Sequence, residues 1–305
     1  MIMLRSANIE QIDTIYRLLK VKGVGPVLTN KILHSVGGNF DTSGFQHKIY
    51  SVLDSAQKDC FGAVVSVVQE LTSRYQVGFM SIIDADYPLE LKKFLSVNTP
   101  PVLSFIGNTA LLTKRKIAFS GSRKVSQKGV DITRDCVNQL SVDDVCIVSG
   151  YAAGVDLAAH EEAIASGAST IIIMPEGINN FRIKKELKDI WDWNRILVIS
   201  EFMPADKWTA SRAMTRNNTI LGLSDLIFVI EAGETGGSLD AGIKAINGGK
   251  PLFVPQYRII PESAMGNNLL ISRGAFPVRM KRETAKANLD KAFELLHTPV
   301  DNTLF

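Results

Sequence analysis

The chain contains several short polar segments that are suited to binding an anion, and each follows an apolar run. The first is Gly121-Ser122-Arg123, directly after the apolar residues 117–120. A glycine lets the backbone approach a phosphate closely, a serine hydroxyl donates a hydrogen bond, and an arginine offers a planar fork of donors. A helix that starts after the turn would add free N–H groups and its positive dipole end. This segment therefore indicates a phosphate site.

A second segment begins at Ser149-Gly150 and continues through Gly154 to the start of a predicted helix. Its small residues permit a backbone cradle for a phosphate or a ribose. Asp156 and His160 are four residues apart and share one helical face. Such a pair could perform acid–base catalysis, but we favour a capping Asp156 and a hydrogen-bonded core His160.

A third segment follows Ser200-Glu201 and carries Arg212, Arg216 and Asn217 on one predicted helix. Two guanidiniums and an amide on one helical face suit a phosphodiester backbone better than a neutral ligand. The alternative is a surface helix whose arginines pair with acidic neighbours.

A fourth segment runs from Glu231 to Gly236-Gly237-Ser238, where another helix is predicted to begin with Ser238 as a plausible cap. No Lys-Ser/Thr follows these glycines, so this is not a Walker loop. The chain also lacks a GxGxxG turn at the first strand, a Gly-x-Ser-x-Gly elbow and metal-ligand spacing. We therefore predict no catalytic residue, no metal and no cofactor.

Alternating strands and helices position these segments. Short continuous apolar strands between amphipathic helices predict an α/β fold, a parallel sheet covered by helices on both faces. Such sheets bind ligands at the carboxyl ends of their strands, where the polar segments fall. Strands are predicted at 117–120, 145–149, 170–174, 196–200, 226–231 and 251–254. Helices are predicted at 126–140, 155–166, 180–191, 210–222 and 238–247.

The first 75 residues are predicted to form a separate helical domain, followed by a Rossmann-like domain over 76–295 and a frayed tail over 296–305. The segment Val21–Pro26 reads as the glycine turn of a helix-hairpin-helix unit. Its glycines either meet a nucleic-acid phosphate or serve only the geometry of the hairpin. Both interpretations remain open from the sequence.

Bulk composition excludes several classes of protein. The 305 residues carry a formal charge of only +3, so any nucleic-acid site must be a local patch. Basic residues cluster at 114–128, 182–188 and 273–282, although any one cluster reads most simply as a solvated face. Three widely spaced cysteines indicate no disulfide framework or zinc site. Without a signal peptide or a bilayer-length apolar stretch, we expect a cytoplasmic protein with no membrane contact.

In this order the segments resemble the DNA-processing protein A family (DprA, also called Smf). Gly121-Ser122-Arg123 matches the family's GSR element, and residues 149–160 match its SGxAxGID…AH element. The other matching motifs are Asp86-Tyr87-Pro88, Ser200-Glu201, Arg216-Asn217, Leu223-Ser224, Glu231-Ala232, Gly237-Ser238-Leu239, Gly266-Asn267 and Gly274-Ala275. The resemblance covers nearly all of residues 10–280, including the hairpin of the small helix-hairpin-helix or SAM-like domain.

This resemblance implies an extended Rossmann-like domain that binds single-stranded DNA and loads a RecA-type recombinase onto it. It also implies a homodimer, and DNA-phosphate contacts from Ser122 and Arg123. We expect the phosphate site to comprise Gly121, Ser122, Arg123, Ser149, Gly150, Arg212, Arg216, Asn217, Gly236, Gly237 and Ser238. Such binding would be largely independent of sequence and strongly dependent on salt.

The chain departs from the family pattern where Asn218 replaces the second arginine of the RNR triplet and where Asp240 adds a negative charge. A second hypothesis is therefore a nucleotide binder or phosphoribohydrolase with Glu231 or Glu234 as the acid–base carboxylate. A third is a nucleotide sensor that feeds a defence effector.

Overall fold

The computed structural model describes residues 9–36 and 42–298, which fall into two compact units. The first unit takes its described residues from Met1–Ile106, Met174–Arg182 and Val198–Ala213. The second takes them from Gly107–Ile173, Ile183–Leu197 and Met214–Phe305. The three-domain division from the sequence stays a prediction.

The first unit begins with helices, as the sequence predicts. They are α1 (Ile9–Leu19), α2 (Pro26–Val36), α3 (Thr42–Val52) and α4 (Ser55–Ala63). Between α1 and α2 the chain turns tightly at Gly23, whose φ of +81° lies in the left-handed region that favours glycine. The turn is closed by a 3.0 Å bond from the Val24 amide to the Val21 carbonyl. The prediction of two helices joined by a glycine turn is thus confirmed, and contact with nucleic acid stays a prediction.

Further along come β1 (Gly78–Ser81), α5 (Leu89–Leu95) and β2 (Val102–Gly107). The remaining strands are β3 (Lys116–Ser120), β4 (Cys146–Ser149), β5 (Ser169–Met174), β6 (Ile196–Ser200), β7 (Leu226–Val229), β8 (Leu252–Pro255) and β9 (Phe276–Val278). The remaining helices are α6 (Gln127–Leu140), α7 (Val155–Ala165), α8 (Ala210–Leu223), α9 (Gly237–Asn247), α10 (Asn267–Ser272) and α11 (Asp290–His297).

These strands form one nine-stranded sheet in the order β1-β2-β6-β5-β4-β3-β7-β8-β9. The pair β1–β2 is antiparallel, whereas neighbours from β5 through β4, β3, β7 and β8 to β9 are parallel. Their residues are almost continuously buried, as expected for a parallel sheet covered on both faces. The α/β, Rossmann-like fold expected from the sequence is therefore confirmed.

A ladder of phenylalanines fixes the register of the second unit. Phe119, Phe228, Phe253 and Phe276 are direct cross-strand neighbours on β3, β7, β8 and β9. Their rings stack at centroid distances of 5.0, 4.9 and 5.1 Å. A one-residue slip of any of these strands would turn its ring to the opposite face of the sheet. The stacked rings therefore favour the observed register of β3, β7, β8 and β9.

One helix expected from the sequence is not formed. The helix predicted over 180–191 is wrong, because the chain forms only 3₁₀ turns at Ile178–Asn180 and Lys185–Ile190. Between these turns the backbone of Phe181 and Lys184 is extended. The Arg182 guanidinium donates hydrogen bonds to the Asn179 and Phe181 carbonyls. The tail predicted from 296 starts inside α11, where Leu296 is buried, and residues 299–305 lie outside the described part.

Candidate nucleic-acid interface

Three of the four polar segments lie at one edge of the second unit. The segment at 121–123 follows β3, the segment at 150–154 follows β4, and the segment at 230–236 follows β7. These strands are adjacent in the order β4-β3-β7 and run parallel, so their carboxyl ends meet at the same edge of the sheet. The structure thus brings together residues that are more than one hundred positions apart in the chain.

The turn at 121–123 is held by backbone contacts. An ideal Cβ on Gly154 would lie 2.4 Å from the Ser122 carbonyl oxygen and 2.9 Å from that of Arg123, and Gly154 has a φ of +81°. On the other side, the Ser122 amide donates a 2.8 Å bond to the Glu231 carbonyl oxygen. The Ser122 hydroxyl accepts a bond from the Lys124 amide, and the Arg123 side chain is exposed. The turn is therefore fixed while the Arg123 side chain faces solvent.

Ser149 and Gly150 make their contacts with other parts of the fold. Ser149 is buried, and its hydroxyl donates a 2.6 Å bond to the Phe119 carbonyl on the neighbouring strand. The Gly150 carbonyl faces Nε2 of His160 at 2.5 Å, and an ideal Cβ on Gly150 would lie 1.7 Å from Nη1 of Arg216. Only a residue without a side chain leaves space here for the Arg216 guanidinium and the Asp156 carboxylate. The Ser149 hydroxyl is therefore engaged within the sheet, and Gly150 has no side chain to offer a ligand.

The two arginines of α8 have different surroundings, against the expectation of a shared phosphate-binding face. Arg216 is only 4 % exposed and donates a 3.0 Å bond to the Ile173 carbonyl, with Asp156 Oδ2 at 4.0 Å. Arg212 belongs to the first unit, where its guanidinium pairs with Asp206 at 2.8 Å. Arg212 therefore fits the alternative interpretation of a surface arginine paired with an acidic neighbour, whereas Arg216 is buried, which neither interpretation expected.

His160 is fully buried, as the favoured interpretation expected. Since the Gly150 carbonyl only accepts, Nε2 carries the proton of the neutral ring, and Nδ1 lies 2.7 Å from the Thr170 hydroxyl, which also contacts the Ile147 carbonyl at 2.8 Å. Burial lowers the pKa of His160 to about 4. Asp156 lies in the first turn of α7, whose N-cap is Gly154, and it accepts a bond from the Ala152 amide. Both side chains therefore form hydrogen bonds within the fold and are not arranged as a catalytic acid and base.

The start of α9 differs in one detail from the prediction. Gly236 is the N-cap, with a φ of +104° and no side chain to cap the helix, and Ser238 lies inside the first turn. Ser238 as the cap is therefore wrong, since the helix begins one residue earlier, at Gly237. Asn217 lies beside this turn, with Nδ2 3.5 Å from the Gly237 carbonyl oxygen. The charge of Asp240 is paired with Lys244 at 2.8 Å.

Glu231 is fully buried and its carboxylate accepts four hydrogen bonds. The donors are the Ser126 amide and hydroxyl, the Tyr257 hydroxyl and the Ser263 hydroxyl, at 2.9, 2.5, 2.9 and 2.5 Å. Burial and this carboxylate raise the pKa of Tyr257. All the acceptor positions of Glu231 are used, which leaves none for a substrate proton. Glu234, the other carboxylate of the phosphoribohydrolase hypothesis, is exposed.

Lys184 adds a second cation to this edge. Its ammonium donates to the Tyr151 carbonyl at 2.7 Å and lies 4.6 Å from the centroid of the Tyr151 ring. Burial lowers the pKa of Lys184; Asp156 and Glu186 oppose this, and the charge of Arg123 adds to it. No local pattern distinguishes Lys184 from the other basic residues of the 182–188 cluster.

The basic cluster at 114–128 is divided by the sheet. Lys114 pairs with Asp144 at 2.5 Å, and the buried Lys116 donates to two carbonyls, both at the amino end of β3. Only the residues from Arg123 onward lie beyond its carboxyl end.

Within residues 9–36 and 42–298, no group of three or more His, Cys, Asp or Glu side chains could hold a metal ion. None of the helices in this part of the chain is both long enough and apolar enough to cross a membrane.

Two known proteins are similar to this chain in sequence. DNA processing protein DprA of Streptococcus pneumoniae is 33% identical over 197 residues, which cover 64% of this chain and 68% of the relative. The Bacillus subtilis protein of the same name is 30% identical over 203 residues, which cover 65% and 67%.

Two solved structures are also similar. DNA processing protein A from Streptococcus pneumoniae has a TM-score of 0.63 and 27% identity over 88% of this chain and 92% of the other. A structure described as the single-stranded DNA binding mode of DNA processing protein A from Helicobacter pylori has a TM-score of 0.58. It is 26% identical over 67% and 91%.

The model of the family described as DNA recombination-mediator protein A matches residues 78–288, well over half of the chain. This match includes the turns after β3, β4 and β7 that form the edge described above. The chain belongs to the DNA recombination-mediator protein A family, the DprA/Smf proteins.

Proposed function

We propose that this protein binds single-stranded DNA by contacting the phosphate backbone of the strand, without catalysing a reaction. The supporting observation is the turn at 121–123, which backbone contacts hold in place while Arg123 is exposed. An arginine on a preorganised turn binds an anion without first losing the conformational freedom of the loop backbone. The Helicobacter pylori relative, whose description names single-stranded DNA binding, supports a nucleic-acid strand as the anion.

The proposed contacts come from the surface of the second unit. Arg123 and Lys184 supply positive charge, and Ser122 and the uncapped start of α9 at Gly236 supply neutral donors. The other predicted site residues have a structural role in the proposed site and make no direct contact with the DNA. They are Gly121, Ser149, Gly150, Arg216, Asn217, Gly237 and Ser238. We do not include Arg212, because its guanidinium is engaged by Asp206 and the Lys207 carbonyl.

We further propose that the bound strand is delivered to a RecA-type recombinase by a homodimer in the cytoplasm, and we assign binding to residues 76–295. The family supports a role in DNA recombination. The enzyme hypothesis has less support, because the Glu231 carboxylate is fully engaged by four donors.

The test is fluorescence anisotropy with an oligo-dT strand, repeated over a range of salt concentrations. Arg123→Ala should weaken binding about tenfold, since a charge-assisted hydrogen bond is lost. It should also reduce the slope of log K against log salt by about 0.7, the value for one phosphate contact on a single strand.

The matched control is Arg134→Ala, which removes the same side chain from α6, where it pairs with Glu161 at 2.8 Å. It should leave the affinity and the slope unchanged. Equal affinity of the wild type and Arg123→Ala would refute the proposed contact. Thermal stabilisation by a mononucleotide, with no binding of oligo-dT, would favour the nucleotide hypotheses instead.

A further inference from the structure

The buried carboxylate of Glu231 has no role in the proposed binding, yet it lies directly beneath the turn that carries Arg123. It is 0 % exposed, and within the described residues no cation pairs with it. A buried, unpaired charge is costly unless hydrogen bonds replace its hydration. The protein supplies four such hydrogen bonds, and together they fix the position of this carboxylate.

Glu231 contacts both ends of the loop 122–126. At the first end its backbone carbonyl accepts the Ser122 amide at 2.8 Å. At the second end its carboxylate accepts the Ser126 amide and the Ser126 hydroxyl. Arg123 lies between these two attachments. One residue of β7's carboxyl end therefore fixes the loop at both ends.

The second attachment continues into α6. Ser126 is the N-cap of this helix, and its hydroxyl accepts the Gly129 amide at 3.1 Å while it donates to Glu231. An ideal Cβ on Gly129 would lie 2.5 Å from Oε1 of Glu231, so only glycine leaves space for the carboxylate there. The helix dipole and the cap thus stabilise the same negative charge.

We propose that Glu231 is a positioning residue for DNA binding, which orders the loop 122–126 so that Arg123 meets a phosphate. This inference rests on the proposed function. The direction of the change in DNA affinity distinguishes this role from a purely electrostatic one. Removal of a negative charge near a bound polyanion would by itself tighten binding. Loss of the ordered loop would instead weaken it.

The test variant is Glu231→Gln, which keeps the size of the side chain and removes the charge. Its amide nitrogen would face donors in place of one carboxylate oxygen, so the attachment of Ser126 is weakened. The matched control is Tyr257→Phe, which removes one donor to the same carboxylate and leaves both attachments of the loop intact. Oligo-dT binding is measured for both, alone and combined with Arg123→Ala.

We expect Glu231→Gln to weaken DNA binding at least fivefold in the wild-type background and less than twofold in the Arg123→Ala background. Tyr257→Phe should leave affinity unchanged in either. Equal losses in the two backgrounds would mean a general structural role, and tighter binding by Glu231→Gln would mean a purely electrostatic one. Either result overturns the proposal.

Amide hydrogen exchange separates this inference from the proposed function. Glu231→Gln should speed exchange of the Ser126 amide at least tenfold, and Tyr257→Phe should not, whether or not DNA binds. If Glu231→Gln does not fold, Ser126→Ala tests the same attachment by both measurements. Unchanged exchange across 122–126 would refute the positioning role, while absence of oligo-dT binding by the wild type would refute only the proposed function.

Discussion

Acidification should destabilise the folded protein through His160. The side chain has a pKa of about 4 in the folded state and an ordinary value of 6.5, because burial disfavours its charged form. Between these values the unfolded chain binds a proton that the folded chain does not bind. Stability is therefore intact above pH 6.5 and is lost as the pH falls toward 4. At about 1.36 kcal/mol per pKa unit, this one group costs at most about 3.4 kcal/mol.

The assay is urea unfolding at pH 7 and at pH 4.5, with the wild type and His160→Gln. Linkage gives a difference of about 2.5 kcal/mol between the two pH values for the wild type from His160 alone. Glutamine retains an N–H donor for the Gly150 carbonyl and does not titrate, so its curve should be flatter by that amount. The histidine ring signals in NMR report the pKa directly.

The matched control is His47→Gln, the same substitution at an exposed position of α3. Equal slopes for the wild type and His160→Gln would refute the reasoning. So would a His160 ring that titrates at or above pH 6.5, since it would mean that the ring is solvated.

Two further substitutions test the packing beneath the edge. Arg216→Ala should lower the free energy of unfolding by about 3 kcal/mol, because it removes a buried guanidinium that bonds the Ile173 carbonyl and lies 4.0 Å from Asp156, and a loss below about 1 kcal/mol would mean that the guanidinium is solvated. Gly154→Ala should weaken both stability and oligo-dT binding, since its Cβ would meet the Ser122 carbonyl. Gly249→Ala, at a φ of +68° with nothing within 4 Å, should cost only the backbone strain and leave DNA affinity unchanged.

Much of the fold was predictable because the strands of a buried parallel sheet are short, continuous apolar runs. Five of the six predicted strands from 117 onward match the observed bounds to within one residue at each end; the strand predicted over 226–231 ends at Val229. The segment 180–191 was not predictable, since its pattern of apolar residues suits a helix. There, Arg182 competes for the carbonyls that a helix would use.

The composition of the edge was predictable, but the function of each side chain in it was not. Helical periodicity places Arg212 and Arg216 on one face, and nothing local indicates that one of them is buried. That burial depends on the space left by Gly150, which directly follows β4. The contacts of Glu231 with Ser126, Tyr257 and Ser263 likewise depend on strand order, which the sequence does not state.

The turns after β3 and β4 touch through main-chain atoms, with Gly154 against the carbonyls of Ser122 and Arg123. The shape of this contact is consequently independent of which side chains positions 122 and 123 carry. Selection could exchange the guanidinium for another group and alter the ligand without rebuilding the scaffold. The same property makes position 123 a suitable place to attach a spectroscopic probe or a new binding group.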